Sequence, residues 1–246
     1  MDRSLSGRVC VVTGASSGIC EATARAFAAG GARVALLARR RDRVHALAEE
    51  LGEAALALEA DVRDLDALRA AAAAIRGRFG RVDCLLNNAG VMLNSPFRAG
   101  LVDEWRTMVE TNLLGVLHAT HAFVDDLCAG GGDIVNVSSV AGRKARPVSN
   151  VYAATKHGVT GWSDALRQEL QEFDVRVICV EPGATATELT DHITHEQTRE
   201  ETDALYRGGF EVMTSEDIAS LVVYAVTAPE RVSINEVLVR PLKQIF

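Results

Sequence analysis

Short apolar runs rich in β-branched residues alternate with longer segments whose apolar residues recur every three or four positions, and the alternation spans the chain. Val9–Thr13, Arg33–Ala38, Ala55–Ala60, Val82–Asn87, Asp133–Ser138 and Val175–Glu181 predict strands, and Glu236–Arg240 predicts a seventh. Ile19–Ala29, Arg43–Leu51, Leu65–Phe79, Glu104–Leu127 and Tyr152–Phe173 predict the intervening helices. Strands separated by helices must run parallel, and a parallel sheet needs helices on both faces. Right-handed crossovers then give one α/β domain over residues 1–246, a Rossmann-type doubly wound parallel sheet. Within it, Gly130–Gly132 predicts a tight helix-to-strand turn and Ala67–Ala74 a plain surface helix.

Composition narrows the class. Hydrophobic residues make up 48% of the 246, enough for a large core, and the net charge is −7. An acidic chain lacks the clustered Lys and Arg that phosphate backbones require, so no nucleic-acid partner is expected. Neither an apolar stretch of membrane-spanning length nor a signal peptide is expected, because Met1–Arg8 carries charges at once. A soluble, cytoplasmic protein is the expectation. The five cysteines are scattered without a C-x-x-C pair, which predicts neither a disulfide framework nor a metal site; Cys10, Cys84 and Cys179 lie in apolar runs as core residues.

The first strand runs into Thr13-Gly14-Ala15-Ser16-Ser17-Gly18-Ile19-Cys20 and then a helix. Such a turn aims backbone N–H groups at a pyrophosphate, at the positive end of the helix dipole. Gly14, Ser16, Ser17, Gly18 and Ile19 are therefore candidate dinucleotide ligands. The second strand ends Ala38-Arg39-Arg40-Arg41, where an NAD-binding chain usually offers a carboxylate to the ribose. A guanidinium instead suits a 2′-phosphate, so Arg39 and Arg40 point to NADP(H). The alternative is that the arginines only decorate a helix start, although there they oppose its dipole.

Tyr152 and Lys156 stand four apart on a predicted helix and share a face. A phenol titrates near 10, and a neighbouring cation lowers that value, as a Tyr acid/base requires. Ser139 closes a strand at the carboxyl edge of the sheet, where its hydroxyl can hold a carbonyl oxygen.

These motifs, with Asp61-Val62, Asn87-Asn88-Ala89-Gly90, Asn112 and Pro182-Gly183, stand in the order and spacing of the short-chain dehydrogenase/reductase family, which the chain resembles over nearly its whole length. The resemblance implies an NADP(H)-dependent oxidoreductase, reversibly reducing a small aldehyde or ketone. It implies that Ser139 polarises the carbonyl, Tyr152 moves the proton, Lys156 binds the nicotinamide ribose and lowers the Tyr152 pKa, and Asn112 holds a relay water. Asp61 and Val62 would contact adenine; Asn88, Ala89 and Gly90 would line the cofactor channel; Pro182, Gly183, Thr185 and Thr187 would flank the carboxamide. In its tail and in Glu188–His195 the chain is similar to a subgroup holding NADP-dependent serine dehydrogenases and, more closely, clavulanic acid dehydrogenase.

Two departures stand out: Cys20 where the family's loop has a third glycine, and a tail ending Arg240–Phe246 without a Gly-Gly element. A thiol at that place would crowd the loop and meet oxidants, or it is simply a tolerated small side chain. Glu188–Gly209 is polar and predicts an irregular connection that, with residues up to 212, covers the substrate. His192 and His195 within it are expected to be solvated rather than metal ligands, and no metal is expected. Asp125-Asp126 predicts a solvated helix face. The substrate space is bounded by Val91–Asn94, Val140–Arg146 and this lid, where Arg143, Lys144 and Arg146 hint at an anionic substrate. Epimerisation, dehydration or non-catalytic NADP(H) sensing remain alternatives at this level. The two long helices predict a homotetramer or homodimer.

Overall fold

The computed structural model describes residues 3–208 and 210–245. Met1, Asp2, Gly209 and Phe246, which open the N-terminal run, complete the Gly208–Gly209 pair and close the tail, lie outside the described residues. Seven strands, β1 (Val9–Thr13), β2 (Arg33–Ala38), β3 (Ala55–Glu59), β4 (Cys84–Asn87), β5 (Gly132–Val137), β6 (Val175–Pro182) and β7 (Glu236–Val239), form one sheet in the order β3-β2-β1-β4-β5-β6-β7. Every neighbouring pair is parallel. The predicted strands are all present, with ends displaced by one or two residues. The order reverses at β1, which lies between β2 and β4, so a crevice opens beyond the carboxyl ends of β1 and β4.

Alternation along each strand feeds two cores. From β1, Cys10 and Val12 join Val34 and Leu36 beneath α1 (Gly18–Ala29), α2 (Arg41–Leu51) and α8 (Ser215–Thr227). Val9 and Val11 join Ala35 and Leu37 on the other face, beneath α3 (Leu65–Phe79), α5 (Gly115–Cys128) and α6 (Asn150–Leu170). Phe27 and Phe123 anchor the two sides and are fully buried, each contributing roughly 1.5–3 kcal/mol of transfer free energy. Helix α3 starts where the Asp64 carboxylate accepts from the Asp66 and Ala67 N–H groups, both at 3.0 Å. Its alanines are not all at the surface: Ala71 and Ala72 pack on the sheet, because helical spacing turns them to the same side as Leu68 and Ile75. Asp125 is exposed, but Asp126 is half-buried and pairs with Arg76 of α3 at 3.1 Å.

Two helical expectations are corrected. The segment predicted as one helix over Glu104–Leu127 is α4 (Val102–Val109), a π turn (Glu110–Leu114) and then α5. The wider turn rotates Thr111 and Asn112 inward, and π turns inside helices mark functional positions. Glu188–Gly209 is mostly helical rather than irregular: a 3-10 turn (Glu188–His192) leads to α7 (Glu196–Gly208). Polarity there reflects a helix that covers an opening rather than a core. At the opposite, amino edge of the sheet, buried Asp133 is clasped by Arg176 at 2.6 Å and by Arg8. That edge is closed by charge, while the carboxyl edge stays open. No helix among the described residues is long and apolar enough to cross a membrane.

Candidate active site

The loops after β1, β2, β4, β5 and β6 meet around a cavity of about 340 Å³ at the carboxyl edge. Gly14 opens its floor at φ +75°, and a Cβ there would lie 2.9 Å from the Ala89 Cα. Only glycine lets the β1 and β4 loops approach so closely. Ser16, Ser17, Gly18 and Ile19 line the same floor, with Asn88, Ala89 and Gly90 beside them.

Arg40 reaches back over the floor. Its Nε donates to Ser16 Oγ at 2.9 Å, one Nη to Ser17 Oγ at 2.6 Å and the other to Glu188 at 2.6 Å. Arg43 donates to the second Glu188 oxygen at 2.6 Å. This clasp draws the start of α2 to the lid, and its hydrogen bonds pull the Glu188 carboxyl down to about 2. Arg39 lines the cavity as an exposed guanidinium without an ion-pair partner among the described residues. Asp61 and Val62 form the adjoining wall, the Asp61 carboxylate being held by Arg63. Two hydroxyls, a glycine cradle and an unspent guanidinium suit a phosphorylated dinucleotide, so the residues present fit NADP(H).

Ser139, Tyr152 and Lys156 meet across the cavity, Tyr152 and Lys156 both buried. The Ser139 hydroxyl accepts from the Ala141 N–H at 3.1 Å and stands beside the Tyr152 phenol, whose rise in pKa it opposes. Lys156 Nζ donates to the Val137 carbonyl at 2.8 Å and lies 5.8 Å from the Tyr152 ring centroid. Burial pushes the Tyr152 phenol well above its ordinary value, with Ser139 opposing the rise and the Tyr206 phenol adding to it. The expected lowering by Lys156 is thus not what the chain alone provides: its ammonium is turned to a backbone carbonyl, and desolvation wins. Burial brings Lys156 itself down to about 8, against the opposing pull of Cys179 and Cys20. The arrangement offers a protonated phenol and a hydroxyl to one oxygen atom, the donor pair a carbonyl reduction needs.

Asn112 alone of the predicted catalytic and cofactor residues is not on the cavity wall. It is fully buried behind it; its Oδ1 accepts from Val91 N at 2.8 Å, and its Nδ2 donates to Val91 O at 2.8 Å and Thr155 Oγ1 at 3.3 Å. With both amide protons used, the side chain braces the Val91 backbone. Pro182, Gly183, Thr185 and Thr187 border the cavity beyond β6. Thr187 caps the turn at Glu188, its Oγ1 accepting from Leu189 N at 3.3 Å.

Other placements differ from the sequence. Arg143 does not face the substrate space: its guanidinium grips buried Glu181 at 2.7 and 2.8 Å and also pairs with Glu236. Lys144 and Arg146 do line the cavity. His195 caps α7, Nδ1 accepting from Thr198 N at 3.3 Å, while His192 lines the cavity. Cys20 is fully buried. Its thiol donates to Thr13 O and accepts from Asn88 Nδ2, both at 2.9 Å. Burial pushes that thiol up to about 12, which removes the thiolate that oxidants attack.

Sequence reasoning missed Glu188 as the clasp and Tyr206 as a wall residue; Asn94, at the end of the predicted Val91–Asn94 wall, has a buried Oδ1 without a hydrogen-bond partner among the described residues. Glu188 directly follows Thr187, but no local signal tells that it will pair with arginines far away in the sequence, and Tyr206 sits in a segment whose polarity hid its helix.

A family model for short chain dehydrogenases matches residues 8–198. A serine 3-dehydrogenase of Agrobacterium fabrum is 37% identical over 243 residues, covering 98% of this chain and 96% of the relative. A sulfoacetaldehyde reductase of Chromohalobacter salexigens is 42% identical over 241 residues, covering 96% and 94%. Among solved structures, the closed form of a serine dehydrogenase complexed with NADP+ superposes with a TM-score of 0.91 at 32% identity, covering 97% of this chain and 96% of that one. The serine dehydrogenase likeness expected from the sequence is found. With the family model matched over residues 8–198 and relatives 37% and 42% identical along nearly the whole chain, the chain belongs to the short-chain dehydrogenase/reductase family.

Proposed function

We propose that the chain is an NADP(H)-dependent oxidoreductase that interconverts a small carbonyl compound and its alcohol, with Tyr152 as the proton donor in the direction of reduction. The observation that carries this is the Tyr152 phenol, kept protonated by burial beside Ser139 and opposite a cradle that presents Arg39 to a 2′-phosphate. Bound NADPH supplies the hydride. Ser139 and Tyr152 hold the carbonyl oxygen, and Tyr152 gives its proton to that oxygen as negative charge develops there. Lys156, with its pKa near 8, is mostly charged at neutral pH, and its Nζ, 5.8 Å from the Tyr152 ring centroid, is placed to bind the nicotinamide ribose. Asn112 keeps the Val91 segment in place, so a relay water would be held by its main-chain carbonyl rather than its amide. A sensing role has only Cys20 in its favour, and the Ser139, Tyr152 and Lys156 set speaks against it.

The names of the two relatives denote small molecules with an anionic group, and Lys144 and Arg146 stand on the substrate side of this cavity. We therefore place the substrate among short carbonyl compounds bearing a sulfonate or carboxylate. NADPH oxidation is to be measured over short aldehydes, ketones and their anionic forms, with 3-hydroxy acids in reverse. Tyr152→Phe should lower kcat at least 10²-fold while leaving NADPH affinity close to that of the wild type. Full turnover in that variant, or no turnover of any carbonyl by the wild type, overturns the assignment. Val102 and Val109 of α4 and Leu114 are exposed apolar residues on one helical segment, which supports a homotetramer or homodimer built through it. Five free thiols suit a reducing, cytoplasmic compartment.

A further inference from the structure

Val148 adopts φ +62°. A β-branched side chain is severely crowded in the left-handed region, where glycine and asparagine are the usual occupants. Pro147 precedes it, and Ser149 N donates to Arg146 O at 3.2 Å, which gives the segment the form of a type II turn with valine at the glycine position. Nothing in the core compensates: Val148 belongs to none of the apolar clusters and is only half-buried. The backbone is held from outside. Ser95, itself buried, donates its N–H to Val148 O at 3.0 Å, and Asn150 Nδ2 donates to Ser95 O at 3.3 Å. What Val148 does touch is the cavity, which it lines on the substrate side with Asn94 and Tyr206.

Strain that the surroundings impose and packing does not repay is characteristic of functional positions. We propose that Val148 is a specificity-determining residue, its isopropyl group forming the wall that excludes branched substituents from the carbonyl, at the expense of fold stability. This rests on the carbonyl-reductase reading above.

Val148→Gly and Val148→Asn separate backbone from side chain, since both tolerate positive φ but only glycine removes the wall. Both variants should raise Tm by about 2–6 °C, the asparagine variant more, because glycine also enlarges the entropy of the unfolded chain. Glycine alone should raise kcat/KM for a branched aldehyde relative to its linear homologue by about 10-fold or more. A Tm equal to or below that of the wild type in both variants would show that no strain resides at Val148. Stabilisation with an unchanged branched-to-linear ratio would show that the strain does not serve selectivity. Failure of the reductase assignment itself looks different, as wild-type protein that turns over neither aldehyde.

Discussion

Replacing Arg143 should damage the protein more than replacing its partner Glu181, although the two share one ion pair. The Glu181 side chain is completely buried, whereas that of Arg143 is 37% exposed. In Arg143→Met, the carboxylate keeps one hydroxyl donor, Thr160 Oγ1 at 3.0 Å. Stripping a buried charge of its partner costs about 3–5 kcal/mol, and the lower end applies because the mouth of the site is partly solvated. In Glu181→Gln, Arg143 retains Glu236 and the solvent, so the loss is about 1 kcal/mol, that of one hydrogen bond. For a chain of this size each kcal/mol moves Tm by about 2–4 °C, giving a fall of roughly 6–12 °C against 2–4 °C in thermal unfolding. An equal or larger loss in Glu181→Gln would refute the reasoning. The pair matters to function because it ties the loop that follows Ser139 to the end of β6, where Pro182 and Gly183 border the cavity.

Arg39→Asp should shift the ratio of kcat/KM for NADPH over NADH by about 10- to 100-fold towards NADH, the worth of one charge-assisted contact; an unchanged ratio would show that Arg39 does not read the 2′-phosphate. NADPH affinity, followed by fluorescence titration, should be flat at neutral pH and weaken above about pH 8 as Lys156 loses its proton, and Lys156→Met should remove that limb. A wild-type profile flat through pH 9.5 contradicts the assignment. The fold responds oppositely: the unfolded chain keeps that proton to about 10.4 while the native chain releases it near 8, so the Lys156 contribution to stability rises between those values. Sedimentation of the purified protein should show a dimer or tetramer, and a monomer at micromolar concentration excludes the helix-pair contact.

The sheet was legible because its evidence is repeated: seven runs each show strand composition, and each is bounded by glycine, proline or a helical period. The cavity walls were legible because motif residues lie at strand ends, and a parallel sheet brings strand ends together whatever the loops do. What escaped the sequence depends on three-dimensional neighbours. The π turn at Glu110–Leu114 adds one residue to a helical turn without altering the apolar period enough to be noticed. Arg143, Lys144 and Arg146 looked equivalent as charges, yet Arg143 turns from the cavity to the buried Glu181 carboxylate. Glu188 clasps Arg40 and Arg43 across 145 or more residues of sequence, a distance at which no spacing rule operates.

Cys20 shows how a local departure can be absorbed without losing the site. A glycine at that place lets helix and strand approach because it presents no side chain. The thiol reaches the same end by bonding: it donates to the last residue of β1 and accepts from Asn88 just beyond β4, so it fastens the two loops whose closeness Gly14 permits. The geometry of the cradle thus rests on Gly14 and Gly18, which have positive φ, and not on the third position. A bonded thiol also fixes the Asn88 amide, which glycine would leave without that partner. The departure that cast most doubt on cofactor binding at the sequence level is, in the fold, one of the contacts that shape the cofactor floor.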